Sequence, residues 1–452
     1  MHVMNDDTIV AISTALGEGA IAVIRVSGKR SLEVADQVFR GKVKPSKVAA
    51  NTAHFGKIVT NENEPVDQVI LTVLKGPKSY TGEDTVEISC HGGIQTTRAI
   101  LDVVLQTGTR QAEPGEFTKR AFLNGKLDLS QAEAVADMIS AKTKKSQKAY
   151  LAQLNGSLAN EVRRIRNSLL DMCSRIELQL DFPDEGLEIS SSAELLSSVE
   201  EARRSIVNFV DSYGSSKIVR DGFSICIAGP PNVGKSSLFN ALIRSDRAIV
   251  SEVPGTTRDF IEESIQIEGI LFRLFDTAGI RSSSDPVEAM GISRSAGIAA
   301  ESDAICLVCE EGYLGETEVP VVSTQRLFVH NKIDLTGMSP RRELINGNEH
   351  VFLSAKTEVG IGLLKSAFLD VAVSAIGEHS ESIPVTSSRH FSIFMDALAA
   401  INSGISSLKN HAPMEFVSMD IRAAANKLGE ITGEVTTEEV LNNIFSKFCI
   451  GK

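Results

Sequence analysis

The chain is predicted to be an α/β phosphate-loop domain inserted into an all-α helical domain, preceded by an α+β N-terminal domain. Three observations carry this. Gly229-Pro230-Pro231-Asn232-Val233-Gly234-Lys235-Ser236 is a complete G-x-x-x-x-G-K-[ST] loop, set between an apolar run at 223–228 and a helix-forming run at 236–242. Residues 217–378 keep the strand–helix rhythm of a P-loop domain. Long helical periodicity flanks that segment, at 130–212 and again after Pro384. The resulting division is 1–122, 123–216, 217–378 and 379–452, and 452 residues are too many for one core.

In chain order, 8–13 and 20–27 read as strands, 31–39 as helix, and 69–74 and 85–89 as strands. His91-Gly92-Gly93 is expected to be a loop that opens a helix over 94–106. No glycine occurs between Ser157 and Asp181, which suits a long helix; 182–186 interrupts it, and the Ser-rich 190–198 reads as the next helix start. Within 217–378, apolar strands are predicted at 223–228, 271–275, 304–309, 326–330 and 350–353. Toward the C-terminus Val417, Ile421, Ala424 and Leu428 share one helical face, and 438–448 forms a final helix.

Net charge is −12 with pI near 5.3, so the chain lacks the global basic footprint of a non-specific nucleic-acid binder, and any RNA contact has to be a local patch. Two basic stretches, Lys142-Thr143-Lys144-Lys145 and Arg163-Arg164-Ile165-Arg166, are solvated helix faces by default and tRNA backbone contacts as the alternative. Six cysteines are scattered without a disulfide pattern, and Cys306-Leu307-Val308-Cys309 lies in an apolar strand, which favours core thiols over zinc. No apolar stretch approaches about 18 residues, and the N-terminus is acidic, so a cytoplasmic chain without membrane contact is expected.

The loop chemistry is specific. Gly229 and Gly234 let backbone N–H groups face the phosphates at a helix N-terminus, Lys235 bridges them, and Ser236 ligates Mg²⁺. Asn331-Lys332-Ile333-Asp334 ends a predicted strand, where Asp334 can accept from guanine N1–H and the exocyclic amine; adenine offers no such donor pair. Ser354-Ala355-Lys356 supplies a backbone N–H near the guanine carbonyl, and Asp276-Thr277-Ala278-Gly279 is the acidic switch at the metal and γ-phosphate. In this order the four segments predict GTP binding and hydrolysis, which makes the inserted unit an α/β P-loop GTPase domain.

With Gly255-Thr256-Thr257-Arg258-Asp259 and the terminal Phe448-Cys449-Ile450-Gly451-Lys452, the chain resembles the MnmE (TrmE) family of tRNA-modification GTPases over essentially its whole length. Ser79-Tyr80-Thr81-Gly82-Glu83-Asp84, His91-Gly92-Gly93, residues 114–129 and residues 181–185 carry the likeness outside the nucleotide segments. Ala15-Leu16-Gly17-Glu18-Gly19 departs from the usual Pro- and Gly-rich loop. The resemblance implies an N-terminal domain that dimerises and holds 5,10-methylene- or 5-formyl-tetrahydrofolate, with Arg25, Glu87, Lys126 and Lys452 as folate contacts. It implies a flavoprotein partner, MnmG, in a heterotetramer that adds a carboxymethylaminomethyl-type group to C5 of the wobble uridine of certain tRNAs. Cys449 is then either a thiol at the uridine site or a packing residue.

For hydrolysis, the position that carries a water-orienting glutamine in Ras-like enzymes is Ile280, and the resemblance assigns that task to Glu288. It implies K⁺ at Asn232, Ser251, Val253 and Thr256, and Mg²⁺ at Ser236 and Thr257. GTP contacts are accordingly expected from Asn232, Val233, Gly234, Lys235, Ser236 and Ser237, and from Ser251, Glu252, Val253, Pro254, Gly255, Thr256 and Thr257. Arg258 is either a finger in trans or a surface switch residue. The alternative reading of the whole chain is a regulatory or ribosome-assembly GTPase.

Overall fold

The computed structural model describes residues 7–182, 191–246, 262–276, 297, 300–310, 325–376 and 384–452. Two compact units result: Met1–Ala136 with Gln153–Asn167 and Ala425–Lys452, and Asp137–Ala152 with Ser168–Ala424.

The first unit is built on β1 (Ile9–Ile12), β2 (Gly19–Ser27), α1 (Ser31–Val38), β3 (Phe39–Gly41), β4 (Thr52–Val59), β5 (Pro65–Leu74), β6 (Thr85–Gly92), α2 (Ile94–Leu105), β7 (Arg110–Gln111) and α3 (Glu116–Leu123). Its sheet runs β3-β4-β5-β6-β2-β1-β7, antiparallel except for β1 beside β7. Ile24, Val26, Leu71, Val73, Val86 and Ile88 are buried with Val34, Val38, Ile100 and Val104 of the two helices. The two-residue period of a strand then puts Arg25 and Glu87, directly paired in register, on the opposite face.

Three strands of this unit, β3, β4 and β7, carry no strand signal in the sequence. β4 carries a glycine, a histidine and a lysine, and Gly56 is there because a Cβ would fall 2.4 Å from the Phe39 ring. His91 and Gly92 are also not loop: β6 continues through them, and only Gly93 caps α2.

An ion-pair network closes this unit. Arg120 bonds Asp7, Glu83 and Glu116, while Arg110 bonds Glu116 and Asp7. Burial works to raise the Glu116 carboxyl, but hydrogen bonds from Arg110, the Glu113 backbone and Arg120 outweigh it and hold it below the usual range. Glu116→Gln removes a charged acceptor shared by the buried Arg120 and the part-exposed Arg110, which keep Asp7 and, for Arg120, Glu83, so a loss of about 1.5 kcal/mol is expected in denaturant unfolding near neutral pH. Because the folded-state pKa is depressed, this stability is present above the unfolded carboxyl pKa of about 4.3 and lost as pH falls through the folded value. The gap between wild type and variant should therefore close in acid; a gap that persists undiminished contradicts the network's role.

The chain continues through α4 (Leu129–Ser140), α5 (Lys144–Leu154), α6 (Ser157–Asp181), α7 (Ser192–Asp221), β8 (Phe223–Ala228), α8 (Lys235–Asp246), β9 (Glu262–Ile267), β10 (Ile270–Asp276), β11 (Ala304–Glu310), β12 (Gln325–Asn331), α9 (Ile333–Thr336), β13 (Arg341–Ile345), β14 (Asn348–Phe352), α10 (Ile361–Ile376), α11 (Ser388–Lys409), α12 (Met414–Thr432) and α13 (Glu438–Phe445). Ser191 starts α7 through a reciprocal capping box with Glu194, the Ser-rich start expected there. The final helix ends at Phe445, three residues short of the predicted 448.

The second unit's sheet is β13-β14-β12-β11-β8-β10-β9, with the five central strands parallel and both edges antiparallel. Parallel strands buried on both faces read as continuous apolar runs, hence the clear signal at 223–228 and 304–309. Cys306 and Cys309 lie in that core, their thiols pushed up by burial, Cys309 to about 11. No group of three or more His, Cys, Asp or Glu arranged to hold a metal occurs among the described residues.

Although no unbroken apolar run of that length stands in the sequence, α11 is long and apolar enough to cross a membrane. Scattered Ser, Asn and Asp hid it as a run. Its buried Ile393, Phe394, Ala397 and Ile401 form the packed face of a core helix, with Phe394 stacked on Phe209 of α7 at 4.7 Å.

Candidate functional site

The phosphate loop joins β8 to α8 at the carboxyl end of the parallel strands, where ligands sit in open α/β sheets. Its glycines are required sterically: Gly229 has φ +146° and a Cβ there would meet the Val308 carbonyl at 2.1 Å; Gly234 has φ +95° and would meet Asn331 Nδ2 at 2.3 Å. Lys235 Nζ donates to the Gly229 and Pro230 carbonyls at 3.0 and 2.7 Å, which keeps the ammonium inside the loop. The α8 N-terminus behind it adds its dipole. The Ser236 hydroxyl lies 3.4 Å from Asp276 Oδ2 at the end of β10, a pair of hard oxygens suited to a divalent cation such as Mg²⁺. Asn232 is exposed and left-handed, φ +67°.

The residues expected to read the base converge on the same sheet end. Asn331 is a clamp: its Nδ2 donates to Val233 O at 2.8 Å and its Oδ1 accepts from Ala355 N at 2.9 Å, linking the phosphate loop to the segment after β14. Ser354 Oγ donates to Asp334 Oδ1 at 2.6 Å. Lys332 takes a left-handed turn, φ +71°, and pairs with Glu310 at 2.6 Å; Lys356 is exposed. The clamp on Asn331 went unread because its partners lie 98 and 24 residues away.

Ser251, Glu252, Val253, Pro254, Gly255, Thr256, Thr257, Arg258, Thr277, Ala278, Gly279, Ile280 and Glu288 lie outside the described residues.

In the first unit, Arg25 and Glu87 form an ion pair: Arg25 Nε and Nη2 lie 2.9 and 2.8 Å from Glu87 Oε1. The guanidinium sits against two rings, 5.3 Å from Tyr80 and 5.6 Å from Phe117. Phe117 N donates to the Lys452 carbonyl at 3.2 Å, and Gly451, φ +97°, packs so closely on Ile12 that a Cβ would lie 2.2 Å from its carbonyl. Lys126 Nζ donates to Pro77 O at 3.0 Å, on the loop that leads to Tyr80. The four residues are thus linked through Tyr80, Phe117 and the loop at Pro77, three cationic side chains and the Glu87 carboxylate among them. Tyr80 and Phe117, within 79–84 and 114–129, carry no sequence signal that separates them from ordinary core aromatics. Cys449 is exposed, and its carbonyl accepts from Gly115 N at 3.4 Å.

The Arg163–Arg166 stretch is occupied internally: Arg163 pairs with Asp128 and Glu434, Arg164 with Glu161, and Arg166 with Glu434.

Two family models match the chain, the GTP-binding protein TrmE N-terminus over residues 8–126 and the MnmE helical domain over 129–449. Proteins called tRNA modification GTPase MnmE are similar along nearly their entire length. That of Alkaliphilus oremlandii is 41% identical over 99% of both chains, and that of Bacillus subtilis 40% identical over 99% of this chain and all of its own. Among solved structures, the G domain of the T. maritima FeoB iron transporter aligns with 33% of this chain and 99% of its own, at 24% identity and a TM-score of 0.24.

Proposed function

The chain belongs to the MnmE family of tRNA modification GTPases, and on that premise we propose that it is a K⁺-dependent GTP hydrolase that, with an MnmG-type flavoprotein, modifies C5 of wobble uridine using a tetrahydrofolate one-carbon unit. The observation that carries the nucleotide half is the convergence of Lys235, Asn331, Asp334 and Ser354 on one sheet end. Asp334 reads guanine, Lys235 and the loop amides bind the phosphates, and Ser236 with Thr257 holds Mg²⁺, which when bound neutralises charge on the phosphates. Asn232 joins Ser251, Val253 and Thr256 as neutral oxygen ligands for K⁺. Glu288 orients the attacking water. The remaining switch residues, 251–257 and 276–279, complete the nucleotide contacts.

The neighbourhood of Arg25, Glu87, Lys126 and Lys452 supports the folate half. Tetrahydrofolate, when bound, supplies the one-carbon unit; Glu87 accepts from its pterin donors, and the cations meet its carboxylates. The division at 122/123, 216/217 and 378/379, a homodimer formed through the N-terminal domain, the heterotetramer, cytoplasmic residence and a role for the Cys449 thiol near the uridine belong to the same proposal.

Hydrolysis tests it. Glu288→Ala should leave GTP affinity nearly intact and lower turnover by about 10²-fold, since water positioning matters only on the way to the transition state. Na⁺ in place of K⁺ should also depress turnover in a phosphate-release assay. Equal turnover in the two salts would remove the Asn232 assignment, and full turnover in the variant would remove Glu288.

A further inference from the structure

Beside the base-reading segments, β12 and β14 set Phe328 opposite His350 and His330 opposite Phe352. The four rings share one sheet face and stack: the Phe328 and His350 centroids are 4.6 Å apart, those of His330 and Phe352 4.3 Å, and those of the two histidines 5.2 Å. Arg341 caps the block, its Cζ 3.8 Å from the Phe352 centroid. Inside it, His330 Nε2 and His350 Nδ1 are 2.9 Å apart, and His330 Nδ1 is 3.5 Å from Cys309 Sγ. Both histidines are buried, 2% and 5% exposed.

Phenylalanines could fill such a space without polar atoms, whereas imidazoles there cost desolvation unless they are hydrogen-bonded. A contact of this length needs one N–H facing one bare nitrogen, so the two rings hold complementary tautomers. Their place in the chain gives the bond a consequence. His330 immediately precedes Asn331, and its carbonyl accepts from Leu353 N at 2.9 Å. Just beyond, Ala355 N reaches Asn331 and Ser354 reaches Asp334. The imidazole pair is a side-chain tie between the two strands at the point where both deliver base-reading groups.

We infer that His330 and His350 are positioning residues for base recognition, their hydrogen bond holding the ends of β12 and β14 at the spacing Asp334 needs. This rests on Asp334 as the guanine-reading carboxylate. Among the described residues, the titratable or charged groups around the pair are Cys309 on β11, Glu343 opposite His350 on β13, the adjacent Glu349, and Arg341 and Arg342. Burial lowers His350, and Glu349 and Glu343 only partly oppose it. A base depressed in the tied arrangement is neutral there, so the tie stays intact through neutral pH and is lost only as pH falls through a value below the unperturbed imidazole's.

The test is the GDP-to-IDP affinity ratio by calorimetry on the full chain, because inosine lacks only the exocyclic amine that Asp334 reads, and the ratio cancels the diphosphate's own titration. His350→Phe should lower the ratio about five- to tenfold, the worth of one net hydrogen bond. His350→Asn, whose amide takes the place of Nδ1, should keep the ratio within about twofold of wild type. A folded His350→Phe with an unchanged ratio overturns the inference. If that variant does not fold, a folded His350→Asn whose ratio still drops about five- to tenfold overturns it, because the restored hydrogen bond should hold the ratio. Asp334→Asn separates the two failures: if it too leaves the ratio unchanged, the base assignment fails first, and if it alone shifts the ratio, only the histidine pair is rejected.

Discussion

Asp334→Asn is expected to convert a guanine-selective site into a xanthine-selective one, lowering GTP affinity by about 10³-fold or more while xanthosine triphosphate gains. The carboxylate has four acceptor positions, and the Ser354 hydroxyl at 2.6 Å takes one, which leaves capacity for guanine N1–H and the exocyclic amine. An amide offers one oxygen and two N–H donors. It therefore loses one guanine contact and gains a donor for the xanthine carbonyl, and Ser354, able to donate or accept, adjusts without cost. Asn331 is untouched, so its clamp between Val233 and Ala355 should keep phosphate binding intact. Competition binding with the two triphosphates decides it; retained GTP preference would sink the base assignment.

Glu87→Ala should abolish tetrahydrofolate binding and the tRNA modification while K⁺-stimulated GTP hydrolysis persists. Glu87 is the carboxylate that faces Arg25, and truncation removes two parallel acceptors at once. The stranded Arg25, with its side chain 15% exposed, keeps its stacking on Tyr80 and Phe117, so the fold should survive. Calorimetry with 5-formyltetrahydrofolate, phosphate release, and nucleoside mass spectrometry of tRNA from a complemented deletion strain read the three functions separately. A regulatory or ribosome-assembly GTPase has no folate heat to lose. Equal heats in wild type and variant would remove Glu87 from the site, and no heat in wild type would remove the site.

Much of the architecture was legible locally. The strand at 223–228, the loop at 229–236 and the helix after it follow one another, and the central parallel strands are apolar on both faces, so neither needed a distant partner to be recognised. β4 and β3 were not legible, because Gly56 answers to the Phe39 ring and not to any local pattern. The extension of β6 through His91 and Gly92 was hidden because Gly92 would be a loop residue by itself. It is strand because it lies so close to the Gly19 backbone that a Cβ would fall 2.4 Å from the Gly19 carbonyl.

By itself the sequence determined which residue types stand ready for phosphate and guanine, and that Glu87 leaves the sheet on the face away from Val86 and Ile88, since φ/ψ preference, side-chain alternation and loop spacing act over a few residues. The tertiary structure alone decided which distant groups meet. It joined Arg25 to Glu87 across 62 residues, Asn331 to Val233 across 98, Arg120 to Asp7 across 113, and the Gly451 carbonyl to Ser13 across 438. Those pairings depend on sheet order and on which buried polar groups must be satisfied together, and neither is encoded in any short stretch of chain.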